Sequence, residues 1–205
     1  MRVWIQSVLT GALVGSLTVP ALAQTQEVVR PAEWSRGTTL SGFAGLATDG
    51  DHSGPVIGGL AGYEITPRLT IEGSGSWLEF GEGADAFAGA IKLRARLTGR
   101  RTVDPFILGG IGFYRASFDG ASAAAPGFYG NRLRARATRL GDVSFTDPAA
   151  VVGAGVNIFV TRHFALRPDV ESFIVFRDGR SLAVTSLSLH AVFHFESHPV
   201  TPRVR

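Results

Sequence analysis

His190, His194 and His198 recur at every fourth position near the end of this sequence. On a helix that spacing puts imidazoles on one face, where they could share a metal ion. On a strand, four residues rise about 13 Å, too far for one ligand sphere. Asp169 and Glu171 lie upstream of Ser188 and His190. An acid, a histidine and a serine make a nucleophilic relay when a hairpin brings them together. Folding the chain about residues 179–180 sets Asp169 opposite His190 and Glu171 opposite Ser188. Cysteine is absent, which excludes thiolate zinc sites, disulfides and a cysteine nucleophile. Gly109-Gly110-Ile111-Gly112 and Gly153-Ala154-Gly155 are glycine clusters. Neither opens a helix or carries the Lys-Ser/Thr pair that a phosphate loop requires, so no cofactor is expected.

A second set of residues is basic. Arg132, Arg134 and Arg136 alternate, with Arg139 close behind. In extended chain the first three share a face. Guanidinium forks bind phosphate and sulfate bidentately, so lipopolysaccharide phosphates or an anionic polymer are the ligands this stretch suits. In a merely solvated loop, Asp119, Asp142 and Asp147 balance it. The overall charge is mild. Formal net charge is +3, from 20 basic and 17 acidic residues, and Lys92 is the only lysine. Nucleic-acid binders carry a strong basic stripe; none is present, and no nucleic-acid partner is expected.

The elements that must position these groups are strands. Met1-Arg2 is followed by an uncharged stretch from Val3 to Ala23, with Pro20 before Ala21-Leu22-Ala23. A basic start, an apolar heart and an A-x-A ending predict a cleaved signal peptide over 1–23. Its removal takes one basic and no acidic residue and leaves +2. Residues 24–37 read as a polar lead-in. Beyond them the 205-residue chain is 18% charged and has 26 glycines, against about 25% charge in ordinary soluble domains. Strands are expected near 38–47, 55–65, 69–80, 86–98, 104–116, 149–160, 163–176 and 182–195, separated by Gly, Pro, Asp and Thr clusters. A tilted strand crosses a membrane in about 9–11 residues, and these are long enough. Residues 196–205 form a tail.

Alternation assigns faces. Leu69, Ile71 and Trp77 oppose Thr70, Glu72, Ser74 and Ser76; Phe87, Ile91 and Leu93 oppose Ala88, Ala90, Lys92, Arg94 and Arg96. Leu166 and Val170 oppose Arg167, Asp169 and Glu171; Leu187, Leu189 and Phe193 oppose Ser188, His190 and His194. The fifth and sixth strands, with glycine and branched residues on both faces, do not assign. A soluble sandwich and a membrane barrel share this period-2 code. The even strand count favours the barrel, with the polar face enclosed. So do three short turns (66–68, 99–103, 161–162) set against longer connections (48–54, 81–85, 117–148, 177–181). Two aromatic girdles are expected: Trp77, Phe80, Phe113, Tyr114, Phe173 and Phe176 at one level, and Tyr63, Phe106, Phe159, Phe164, Phe193 and Phe195 at the other. Closure follows from physics, since hydrocarbon offers no water to a free sheet edge. The expected fold is all-β, an eight-stranded antiparallel up-and-down transmembrane barrel. Its lumen holds a network of Glu72, Lys92, Arg94, Arg96, Arg167, Asp169 and Glu171.

Gly58-Gly59-x-x-Gly62-Tyr63, Thr66-Pro67-Arg68-Leu69 and Pro105-Phe106-x-Leu108-Gly109-Gly110 resemble the outer-membrane β-barrel family with the OmpA-like eight-stranded fold. Leu187-x-Leu189-x-Ala191-x-Phe193-x-Phe195 is similar to its C-terminal strand, whose terminal aromatic the barrel-assembly machinery recognises. The resemblance covers 38–195. It implies a monomer in the outer membrane of a Gram-negative-type cell, in contact with outer-membrane lipid and lipopolysaccharide, with a structural or surface-interaction role and no enzymatic activity. A narrow pore is the alternative. Ser188-x-His190 also resembles, in reversed order, the His-x-Ser of lipid A deacylase barrels, so a lipid hydrolase stands as a third reading.

Overall fold

Asp178 and Gly179 both have positive φ, 48° and 74°, as a two-residue type I′ hairpin turn requires, and Asp-Gly adopts it with little strain. The turn pins Arg177 opposite Arg180. Arg167 therefore faces His190, Asp169 faces Ser188, and Glu171 faces Ser186. The register expected from a fold about 179–180 is displaced by two residues. An even displacement keeps every side chain on its expected face.

The computed structural model describes residues 37–81, 83–98, 101–118, 128–129, 143–161 and 163–196. Its eight strands are β1 (Gly37–Thr48), β2 (Ser53–Glu64), β3 (Leu69–Gly81), β4 (Ala84–Arg96), β5 (Val103–Phe118), β6 (Val143–Phe159), β7 (Phe164–Arg177) and β8 (Arg180–Glu196). Each pairs antiparallel with its sequence neighbour, and β1 pairs with β8 from Gly37↔Glu196 to Thr48↔Thr185, so the sheet closes into a barrel. The expected signal peptide, Arg132, Arg134, Arg136, Arg139 and the tail beyond Glu196 lie outside the described residues.

The alternation now resolves for all eight strands. Ile57, Ile71, Ile91, Leu93, Ile107, Ile111, Val152, Leu187 and Leu189 are exposed on the outer wall, with Ile111 at 74%. The opposite faces are buried and hold Glu72, Lys92, Arg94 and Arg167, the last at 1%. A soluble sheet does the reverse, because exposed apolar surface on this scale is unstable in water. The outer wall demands an apolar solvent. In β5 the inward set is Asp104, Phe106, Leu108, Tyr114, Ala116 and Phe118, and in β6 it is Val143, Phe145, Asp147, Ala149, Val151 and Asn157.

Three expectations change. Phe106, Tyr114 and Phe173 are buried inside the barrel, and Phe80 packs against the core from partial burial. Their inward parity removes them from the girdles. The outer aromatics are Trp77, Phe87, Phe113 and Phe176 toward one end, with Tyr63, Phe193 and Phe195 toward the other. Second, the interior is not uniformly polar. Val56, Leu78, Ala84, Ala86, Tyr114, Phe118, Phe145, Phe173, Val175 and Val184 form an apolar core in one half. Third, loop asymmetry narrows to one connection. Gly83 and Gly179 take left-handed turns and the strands run further than expected, so only 119–142 is long. Asp147, expected in that loop, is an inward residue of β6.

Candidate functional site

The half of the lumen away from the apolar core contains four cations, Lys92, Arg94, Arg96 and Arg167, and five carboxylates, Glu64, Glu72, Asp104, Asp169 and Glu171, all buried. Antiparallel pairing of β3 with β4 sets Glu72 beside Lys92, and the barrel's curvature brings β7 across to them. Glu72 accepts from Arg94 Nε and takes a two-pronged contact from Arg167, with Nη1 to Oε1 at 3.0 Å and Nη2 to Oε2 at 3.3 Å. Arg167 Nε also donates to Asp169 Oδ2 at 3.1 Å. Lys92 Nζ reaches Glu171 Oε1 at 2.7 Å. Arg96 pairs with Glu64 and lies 3.1 Å from Asp104. In a site this dry, each charge is tolerated only because a partner and hydrogen bonds offset its desolvation.

Phe106 reaches into this layer from β5. The guanidiniums of Arg94 and Arg167 sit 5.4 and 4.4 Å from its ring centroid, within cation–π range. Gly155 makes the room, since a Cβ there would lie 2.6 Å from Phe106 Cζ and 2.5 Å from Asp169 Cβ. Close packing, rather than phosphate binding, is what this glycine provides.

His190 stacks on Phe43 with centroids 4.5 Å apart. Its Nε2 lies 3.2 Å from Asp169 Oδ1, and its Nδ1 lies 3.0 Å from Ser41 Oγ. The hydroxyl on the histidine is thus Ser41's on β1, where the sequence pointed to Ser188. All three groups are buried in the lumen. Ser188 and His190 line an internal cavity of about 20 Å³ with Ser74, Ser76, Asp169 and Glu171. A water needs roughly 10–15 Å³, so this space admits water and excludes an acyl chain.

At the other end, Tyr129 returns from the 119–142 connection and is buried between Phe118 and Phe145, with centroids 5.2 and 5.3 Å away. Its hydroxyl donates to Asp147 Oδ2 at 3.4 Å. Burial, and then the Asp147 carboxylate, push the phenol pKa up, so it stays a neutral donor. Arg177 Nε pairs with the same carboxylate at 3.1 Å, and its guanidinium lies 4.4 Å from the Phe145 centroid. This cluster stops the apolar end of the barrel.

All seven residues expected in the lumen lie there and are linked by the contacts above. Glu64, Asp104 and Ser41 join them without having been singled out. Glu64 shares parity with Val56 and Leu60, but glycines on both faces of β2 hide the alternation. Asp104 stands in β5, where the same ambiguity holds. Ser41 required the β1–β8 closure, which no local pattern reveals.

Residues 9–195 match the outer membrane protein β-barrel domain family, and the chain belongs to it. That membership places the protein in an outer membrane. Solved structures carry the same fold at low identity. Neisserial surface protein A is 14% identical, with a TM-score of 0.58, over 78% of this chain and 97% of its own. The N-terminal β-barrel domain of Pseudomonas aeruginosa OprF is 11% identical at 0.53, over 78% and 100%. Ail, the attachment invasion locus protein of Yersinia pestis, is 15% identical at 0.50, over 80% and 100%. No curated protein matches the sequence.

Proposed function

We propose that this protein is a closed, non-conducting and non-enzymatic outer-membrane barrel whose function lies on its surface. The long 119–142 connection is turned outward in this reading. Arg132, Arg134, Arg136 and Arg139 there engage phosphate or sulfate groups of lipopolysaccharide or an anionic polymer. The observation that carries the reading is the filled interior: an apolar core in one half, ion pairs in the other, and a cavity of about 20 Å³ between Ser74 and His190. With no open path inside and no room for a substrate at His190, the chemistry available to a partner is on the loops. The barrel acts as a monomer, inserted by the assembly machinery that reads its terminal Phe195, after export by the 1–23 signal.

Protease shaving of intact cells tests the orientation, and cuts within 119–142 are expected. Protection of that stretch while 65–68 or 97–102 is cut would reverse it. In the same cells, replacing Arg132, Arg134 and Arg136 together by alanine should lower binding to a sulfated polysaccharide, about tenfold if two bidentate contacts are lost. Undiminished binding would remove the arginines from the account.

A further inference from the structure

The outer wall carries one site that the surface reading does not use. Phe87, Gly89 and Ile91 of β4, Ile111 and Phe113 of β5, Pro148 and Ala150 of β6, and Phe176 of β7 border an open groove of about 750 Å³. Successive rows of the sheet build it: Gly89 pairs with Phe113 and Phe113 with Pro148, and Ile91 pairs with Ile111 and Ile111 with Ala150. One row closer to the long connection, Phe87 pairs with Arg115, and Arg115 with Thr146. Among the described strands, Arg115 is the one lysine or arginine with outward parity. It is exposed, and its Nη2 reaches Ser144 Oγ at 3.5 Å; no described carboxylate pairs with it.

An arginine on the lipid face is costly at mid-membrane and tolerated near the interface. Trp77 stands beside Phe87 in the same row, and aromatic rings mark the headgroup level. A cation at headgroup height directly above an acyl-wide apolar groove is complementary to a lipid with an anionic head and a chain below it. We infer that this face binds lipid A of lipopolysaccharide, with one phosphate on the Arg115 guanidinium and an acyl chain in the groove between Phe87, Phe113 and Phe176. The choice of lipid A over a phospholipid rests on the proposed orientation, which sets this row in the outer leaflet.

Titration of the detergent-solubilised full-length mature protein, read by native mass spectrometry, tests it with three probes: bisphosphorylated lipid A, dephosphorylated lipid A and phosphatidylglycerol. Saturable binding of bisphosphorylated lipid A is expected. Arg115→Ala should weaken it about tenfold, the loss of one charge-assisted fork. Ala150→Phe, which fills the groove from outside, should weaken it similarly. Heat-modifiable gel migration checks that both variants fold, and Ala150→Leu replaces a variant that does not. Wild-type affinity in both variants would overturn the site, and equal binding of dephosphorylated lipid A or phosphatidylglycerol would overturn its ligand. The titration is blind to orientation in cells, so its outcome and that of the shaving experiment are read separately.

Discussion

Glu72 holds two guanidiniums at once, Arg94 and Arg167, at a position with no exposed surface. Removing its charge leaves two buried cations without their shared partner, a loss of about 3–5 kcal/mol when a buried pair is broken from one side. Glu72→Gln should lower the folding free energy by that amount in urea titrations in lipid vesicles. Glu79→Gln, on the exposed outer face, should change it by less than about 0.5 kcal/mol. Equal effects would mean that the interior pairs carry little stability. At this scale the sequence was legible where alternation was sharp. Lys92, Arg94 and Arg96 sit between Ile91, Leu93 and Ala95, so their enclosure could be read directly. Glu64 and Asp104 could not be read, because glycine on both faces of their strands leaves no contrast to mark inside from outside.

Strand length and turn chemistry govern the elements. Asp178 and Gly179 lock the last hairpin, and the register they impose decides which residue meets His190. A β-branched residue at a left-handed position costs about 1–2 kcal/mol, so Gly179→Val should destabilise the barrel by that amount in the same urea titration. No change would show that the turn adapts freely. The Asp-Gly pair was visible in the sequence, and centring the turn on it yields the observed pairing; centring one residue later displaces each partner by two. The existence of all eight strands was legible from period 2. Their ends were not, because β6 starts at Val143, well inside what composition marks as loop. Three aromatics expected outside are inside for a related reason: ring position along a strand says nothing about depth until parity is known, and β5 gave none.

Over the whole molecule, one arrangement accounts for both solvents. The outer wall is apolar because acyl chains touch it, and the lumen is full because an eight-strand barrel is just wide enough for its own side chains. Closure of β1 on β8 joins residues far apart in sequence, such as Ser41 and His190, which is why the local pattern could name the histidine but not its hydroxyl partner. The division of the lumen into an apolar half and a charged half was likewise hidden, since it depends on how far each strand is staggered against the next. Its consequence is a barrel without a water path, and single-channel recording in planar lipid bilayers tests that most directly. Folded protein, verified by its gel migration, should leave the bilayer electrically silent. Discrete, reproducible conductance steps from the same preparation would contradict the filled interior and return the pore to first place.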